Sequence, residues 1–114
     1  MPDEKEKNEG QLVLDVFQTD DDIVIQSTIA GVSQKDIDIS ITNDMVTIRG
    51  SRKRDSNLSS NYYHQELFWG PFSRSVILPA EIDSDNVKAS IKNGMLTISL
   101  PKAEKLKTKK INID

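Results

Sequence analysis

His64 is the chain's one side chain that ordinarily titrates near neutral pH, and it follows Tyr62-Tyr63 in a polar stretch of a chain with no cysteine. Nucleophilic catalysis needs a base held against a Ser, Thr or Cys and oriented by a third group. His64 has no thiol to activate, so it reads as a contact residue in a loop. Asp20-Asp21-Asp22 offers three consecutive carboxylates. A calcium loop also needs a glycine for its sharp turn and a distal glutamate to close the shell, and without them the triplet reads as a turn between strands. Arg52-Lys53-Arg54 is a short basic patch, but a net charge of −3 gives no electrostatic footprint for nucleic acid. It reads as solvated loop. Asn57-Leu58-Ser59 fits a glycosylation sequon, idle without a secretory signal. There is no glycine-rich phosphate loop, and the lack of cysteine removes disulfides, thiolate metal sites and thiol catalysis. These residues predict no enzyme, metal, cofactor or small-molecule substrate.

Other residues are placed for contact rather than reaction. Arg74 shares strand parity with Phe72, Val76 and Leu78, which projects a guanidinium from an otherwise apolar row. Buried, such a charge must be paired and hydrogen-bonded, and Glu66 on the preceding segment is a candidate partner. The alternative is an edge strand, from which Arg74 reaches water along its own stem. Ile111 and Ile113 stand two apart near the C-terminus, so an extended tail points both the same way. They follow a stretch, 102–110, with five lysines and one glutamate, a solvated tether. Tyr62-Tyr63 inside the polar loop 51–64 suggests that part of that loop pairs with something.

The elements that must position these residues are strands. Val87, Ala89 and Ile91 alternate with Lys88, Ser90 and Lys92, the period of a half-buried strand. Asn93-Gly94 supplies a two-residue turn with positive φ. Leu96, Ile98 and Leu100 alternate on the return, and Pro101 ends the ladder. The same pattern predicts strands over 12–18, 23–30, 37–41, 45–49, 72–78, 87–92 and 95–100, with no convincing helix. Short strands at this spacing predict an all-β fold, an immunoglobulin-like antiparallel β-sandwich of about seven to eight strands. One core suits 114 residues, and with six aromatics it must be built of Ile, Val and Leu. The expected organisation is a charged, disordered tail over 1–10, the domain over 11–101 and a flexible extension over 102–114. No apolar run approaches the roughly 20 residues of a membrane span. The start Asp3-Glu4-Lys5-Glu6-Lys7 is the opposite of a signal peptide, so no membrane partner and a cytoplasmic address are expected.

The wording of these strands resembles the small heat-shock proteins, the α-crystallin-domain family. Ala89, Asn93, Gly94 and Leu96 spell A-x-x-x-N-G-x-L, closed by a short strand and a proline. Ala30-Gly31 leading to Asp36-Ile37 resembles A-x-x-P-G-x-x-x-x-D-I, with Ala30 in the place of the usual proline. Ile39-Ser40-Ile41 and Val46-Thr47-Ile48-Arg49-Gly50-Ser51-Arg52 resemble the hairpin that follows. Glu66, Gly70, Phe72, Arg74 and Leu78-Pro79 resemble E-x-x-x-G-x-F-x-R-x-x-x-L-P, and Ile111-Asn112-Ile113 the I-x-I tail motif. His64-Gln65-Glu66-Leu67 departs from the R-x-E-R of many relatives. The similarity spans roughly residues 12 to 113 in register.

The resemblance implies roles. Ile111 and Ile113 would dock in a neighbouring subunit's groove between the strand of Ile37, Ile39 and Ile41 and that of Val87, Ala89 and Ile91, the groove open also to partly unfolded clients. The loop 51–64 would give a strand to a second copy, making a homodimer with Leu58, Tyr62, Tyr63, Glu66 and Arg74 at its interface. The family usually carries a longer, aromatic-containing arm. Only about ten residues precede the first strand here, natively or by trimming, which predicts a dimer or small oligomer of reduced activity. The implied function is ATP-independent holding of unfolding proteins. The alternatives are a cochaperone-like adaptor and a purely assembly-forming subunit.

Overall fold

Ile, Val and Leu alternate with polar residues along most of the chain, and each such run forms a strand. A computed structural model describes residues 10–42, 44–54, 61–103 and 111–113. The strands are β1 (Gly10–Gln11), β2 (Leu14–Gln18), β3 (Asp22–Thr28), β4 (Ile37–Thr42), β5 (Met45–Arg52), β6 (Gly70–Ile77), β7 (Lys88–Lys92) and β8 (Met95–Pro101). Short 3-10 turns lie at Gln34–Asp36 and Ser84–Asn86. One sheet has the order β1-β6-β5-β4 and the other β2-β3-β8-β7.

The inner faces meet in a core of Ile23, Ile25, Leu96, Ile98 and Leu100 from one sheet and Val46, Ile48 and Phe72 from the other. Register puts Ile23 opposite Leu100 and Ile25 opposite Ile98, so the alternating positions face inward together. The β7–β8 turn is as its sequence demands: Asn93 has φ 52° and Gly94 φ 77°, the left-handed pair of a type I′ hairpin. Gly50 is held small by packing. It lies opposite Phe72, and a Cβ there would sit 2.6 Å from Phe72 Cζ and 2.8 Å from the Asp36 carbonyl oxygen.

The strand expected over 12–18 begins only at Leu14, and a separate two-residue strand precedes it. Residues 10–11 join one sheet, in a parallel pair with β6, and residues 14–18 join the other. Between them Leu12 is buried at 5% exposure and Val13 stands out at 65%. Alternation reports which face a residue takes but not which sheet, so the crossing had no signal in the sequence. Neither carbonyl of the crossing goes unsatisfied. Arg74 Nη1 donates to Leu12 O at 2.9 Å, and Ser27 Oγ donates to Val13 O at 2.6 Å. One side chain from each sheet thus caps the junction. β5 and β6 also run past their expected ends, pairing Gly50 with Phe72, Ser51 with Pro71 and Arg52 with Gly70.

Candidate functional site

β4 and β7 are edge strands, one from each sheet, and the space between them is a groove. Ile37, Ile39 and Ile41 are half-buried and alternate with exposed Asp38, Ser40 and Thr42. A cavity of about 220 Å³ is lined by Ile37, Ile39, Ala89, Ile91 and Leu96, with Gln34 and Ser90. Four of the six residues named for a groove therefore share one cavity. Ile41 lies in a neighbouring, larger one of about 560 Å³ with Asp44, Glu81, Ile82 and Ser84, and Val87 packs against the core. The sequence placed Leu96 in the turn motif and on the return strand, but not in the groove. It stands opposite Ile91 in the hairpin register, and that pairing was the signal that placed it in the groove.

Ile111 and Ile113 are 87% and 96% exposed, so this chain does not bury them itself. Free edges offer further contacts. Among the described residues β2 pairs with β3 alone, and its neighbourhood exposes Val13, Val16 and Phe17. A small cavity at its start, about 160 Å³, is lined by Val13, Leu14, Asp15, Gln26, Ser27, Thr28 and Met95.

In the loop, Tyr62, Tyr63, Leu67 and Phe68 are exposed, while Leu58 lies outside the described residues. The structure does not bring Glu66 to Arg74. The guanidinium goes to the Leu12 carbonyl, and Glu66 Oε2 lies 3.2 Å from His64 Nε2. The basic triplet stays solvent-accessible, with the Lys53 side chain 69% exposed, but it is also bonded. Arg52 Nε donates to Ala30 O at 2.9 Å and Nη1 to Phe68 O at 3.4 Å. Lys53 Nζ lies 3.1 Å from Asp36 Oδ1, and the Arg54 guanidinium is 4.5 Å from the centre of the Tyr62 ring. Sequence spacing gave no hint of these partners, which come from three separate segments.

Elsewhere the chemistry-bearing residues do not converge. Asp20-Asp21-Asp22 sits in the β2–β3 turn, where Asp22 N–H donates to Thr19 Oγ1 at 3.0 Å. Among the described residues no three His, Asp or Glu side chains are grouped to hold a metal ion. No helix there is long and apolar enough to cross a membrane.

An immunoglobulin-like β-sandwich with an apolar groove between two edge strands is a binding scaffold. Residues 15–114 match the model of the Hsp20/alpha crystallin family, and the chain belongs to that family. Small heat shock protein C2 of Rickettsia felis is 40% identical over 100 residues, covering 87% of this chain and 65% of that protein. Heat shock protein 16.0 from Schizosaccharomyces pombe has a solved structure that superposes with a TM-score of 0.79 at 34% identity, covering 93% of this chain and all of the other. A small heat-shock protein from Xylella fastidiosa superposes with a TM-score of 0.73 at 25% identity, covering 90% of this chain and 95% of that one. The chain spans about three-fifths of the length of the first curated relatives it matches, 59% to 65%.

Proposed function

We propose that the protein is an ATP-independent holdase, a chaperone that binds partly unfolded proteins through apolar grooves and open strand edges and delays their aggregation. The observation that carries this reading is the groove of Ile37, Ile39, Ala89, Ile91 and Leu96 in a chain that leaves Ile111 and Ile113 unburied. Unfolding clients expose apolar strands and unpaired edges, and this surface offers complementary ones without chemistry. The role needs no cofactor, and release and refolding fall to other, ATP-driven chaperones. A cytoplasmic address fits it.

Self-assembly belongs to the same reading. The β2 edge, unpaired among the described residues, accepts a strand from the loop of a second copy, and backbone hydrogen bonds supply most of that contact. The tail isoleucines of one copy seat in the β4–β7 groove of another. The Xylella fastidiosa relative, whose small heat-shock protein has a distinct high order structure, supports assembly in this one. Burying two isoleucines grosses about 3–6 kcal/mol, and ordering the tail removes much of it, leaving a contact nearer millimolar than nanomolar. Such contacts hold only in multiples, so the assembly is reversible and its groove is intermittently open to clients.

Light scattering of a heat-destabilised client protein, without ATP, tests the proposal. Suppression at near-stoichiometric ratios is expected. A folded, self-associating protein that leaves client scattering unchanged would move the function to assembly alone, and a folded monomer without suppression to an adaptor.

A further inference from the structure

Arg52, Lys53 and Arg54 stand at the point where the chain leaves β5 for the loop. The outgoing arm is tied to the returning arm at two heights. Arg52 Nη1 donates to the Phe68 carbonyl, and Arg54 lies over the Tyr62 ring. It is tied to the body of the sandwich at two more points, through Arg52 on the Ala30 carbonyl and Lys53 on Asp36, whose side chain is only 17% exposed. The Arg52 stem also covers Gly31, where a Cβ would meet its Cδ and Nε at 3.5 Å. Three consecutive long side chains fixed in this way lose rotamer freedom. In return, residues 52–54 are held against the arm that returns through Tyr62 and Phe68.

We propose that the triplet Arg52-Lys53-Arg54 is a clasp that sets the angle at which the loop leaves the sandwich, and thereby the affinity with which the chain pairs with a second copy. The proposal rests on the reading that this loop supplies the pairing strand. A loop free to swing presents that strand correctly only part of the time, and apparent affinity falls by the competent fraction. A cation–π contact at an exposed site shifts such a balance about threefold. A symmetric dimer uses two loops, one from each copy, so the loss is at most about tenfold, reached when the open loop predominates.

The test is the dimer dissociation constant of the full 114-residue chain, measured by sedimentation equilibrium over a wide concentration range. Arg54→Gln and Tyr62→Leu should each weaken pairing, by up to about tenfold, and their effects should not add, because both remove the shared ring contact. Tyr62→Phe keeps the ring face and should stay within about twofold of the wild type. Arg52→Lys keeps the charge but loses the planar fork, and should weaken pairing as well. Loop amides should exchange faster in Arg54→Gln, while the urea midpoint of the dissociated chain stays where it was. A purely structural role would move that midpoint instead. A dimeric wild type with an unchanged constant in Arg54→Gln, or a Tyr62→Phe loss as large as that of Tyr62→Leu, would overturn the clasp alone. A wild type that remains monomeric at the highest concentration would overturn the pairing and the clasp together.

Discussion

Replacing Ile111 and Ile113 with serine separates the two things these residues can do. If they form an edge strand of their own domain, they stabilise the fold; if they dock on a neighbour, they stabilise only the assembly. The single chain exposes them at 87% and 96%, so serine removes almost no intramolecular burial, and the thermal midpoint should move by under about 1 °C, as for an ordinary surface substitution. The docked state loses the transfer term of two isoleucines, about 3–6 kcal/mol gross. The serine tail must be ordered at the same cost, so the whole of that loss falls on the contact, and a docking of near-millimolar strength is abolished. A tail contact that weak already depends on tethering, so the loss should leave nothing larger than a dimer.

Size-exclusion chromatography with multi-angle light scattering reads the mass, and the fluorescence of Trp69, the single tryptophan, reads the melt. The expected pair of results is a smaller particle with an unchanged midpoint. A midpoint lower by about 10 °C or more would mean that the isoleucines are buried within their own domain, since 1 kcal/mol shifts a domain of this size by about 4–8 °C. Unchanged mass with an unchanged midpoint would remove the tail from assembly altogether.

Three further substitutions test the parts that build the site. Ala89→Phe puts a ring into the 220 Å³ cavity from an exposed position; it should shrink the assembly as the tail variant does, with the melt unchanged. Gly50→Ala places a methyl 2.6 Å from Phe72 Cζ and should cost about 1–3 kcal/mol by overpacking, seen as a lower denaturant midpoint at unchanged slope. Ser27→Ala strips the Val13 carbonyl of its hydroxyl donor at a site 2% exposed. It should destabilise by about 1–2 kcal/mol and weaken pairing through the neighbouring β2 edge, measurable in the same melt and sedimentation experiments.

What the sequence disclosed, and what it hid, follows from what a period of two encodes. Leu96, Ile98 and Leu100 alternate with Thr97 and Ser99, and each is in the core. Asn93-Gly94 has one low-strain use, and the turn adopts it. Alternation says nothing about which strand lies beside which, so the Leu12-Val13 crossing was invisible, although it decides where β2 presents its open edge. It is equally silent on the long polar side chains. Arg52, Lys53 and Arg54 have the composition of solvated loop, yet Ala30 and Asp36 lie ahead of β4, which pairs with β5, and Tyr62 and Phe68 on the arm that leads into β6.

Arg74 makes the same point from the other direction. Its strand parity marked it as a charge on an inward row, and that charge does need a partner. The partner is a backbone carbonyl freed by the sheet crossing, not the carboxylate of Glu66, because the crossing leaves an acceptor beside it and the loop carries Glu66 to His64. If β2 is the accepting edge, Arg74 bears on self-association through the position of β2 even without contact across an interface. Arg74→Leu should leave the Leu12 carbonyl without its charged donor, a loss of about 1.5–3 kcal/mol. If β2 is the accepting edge, pairing should weaken along with stability; if only the melt moves, the crossing is structural and the accepting edge lies elsewhere.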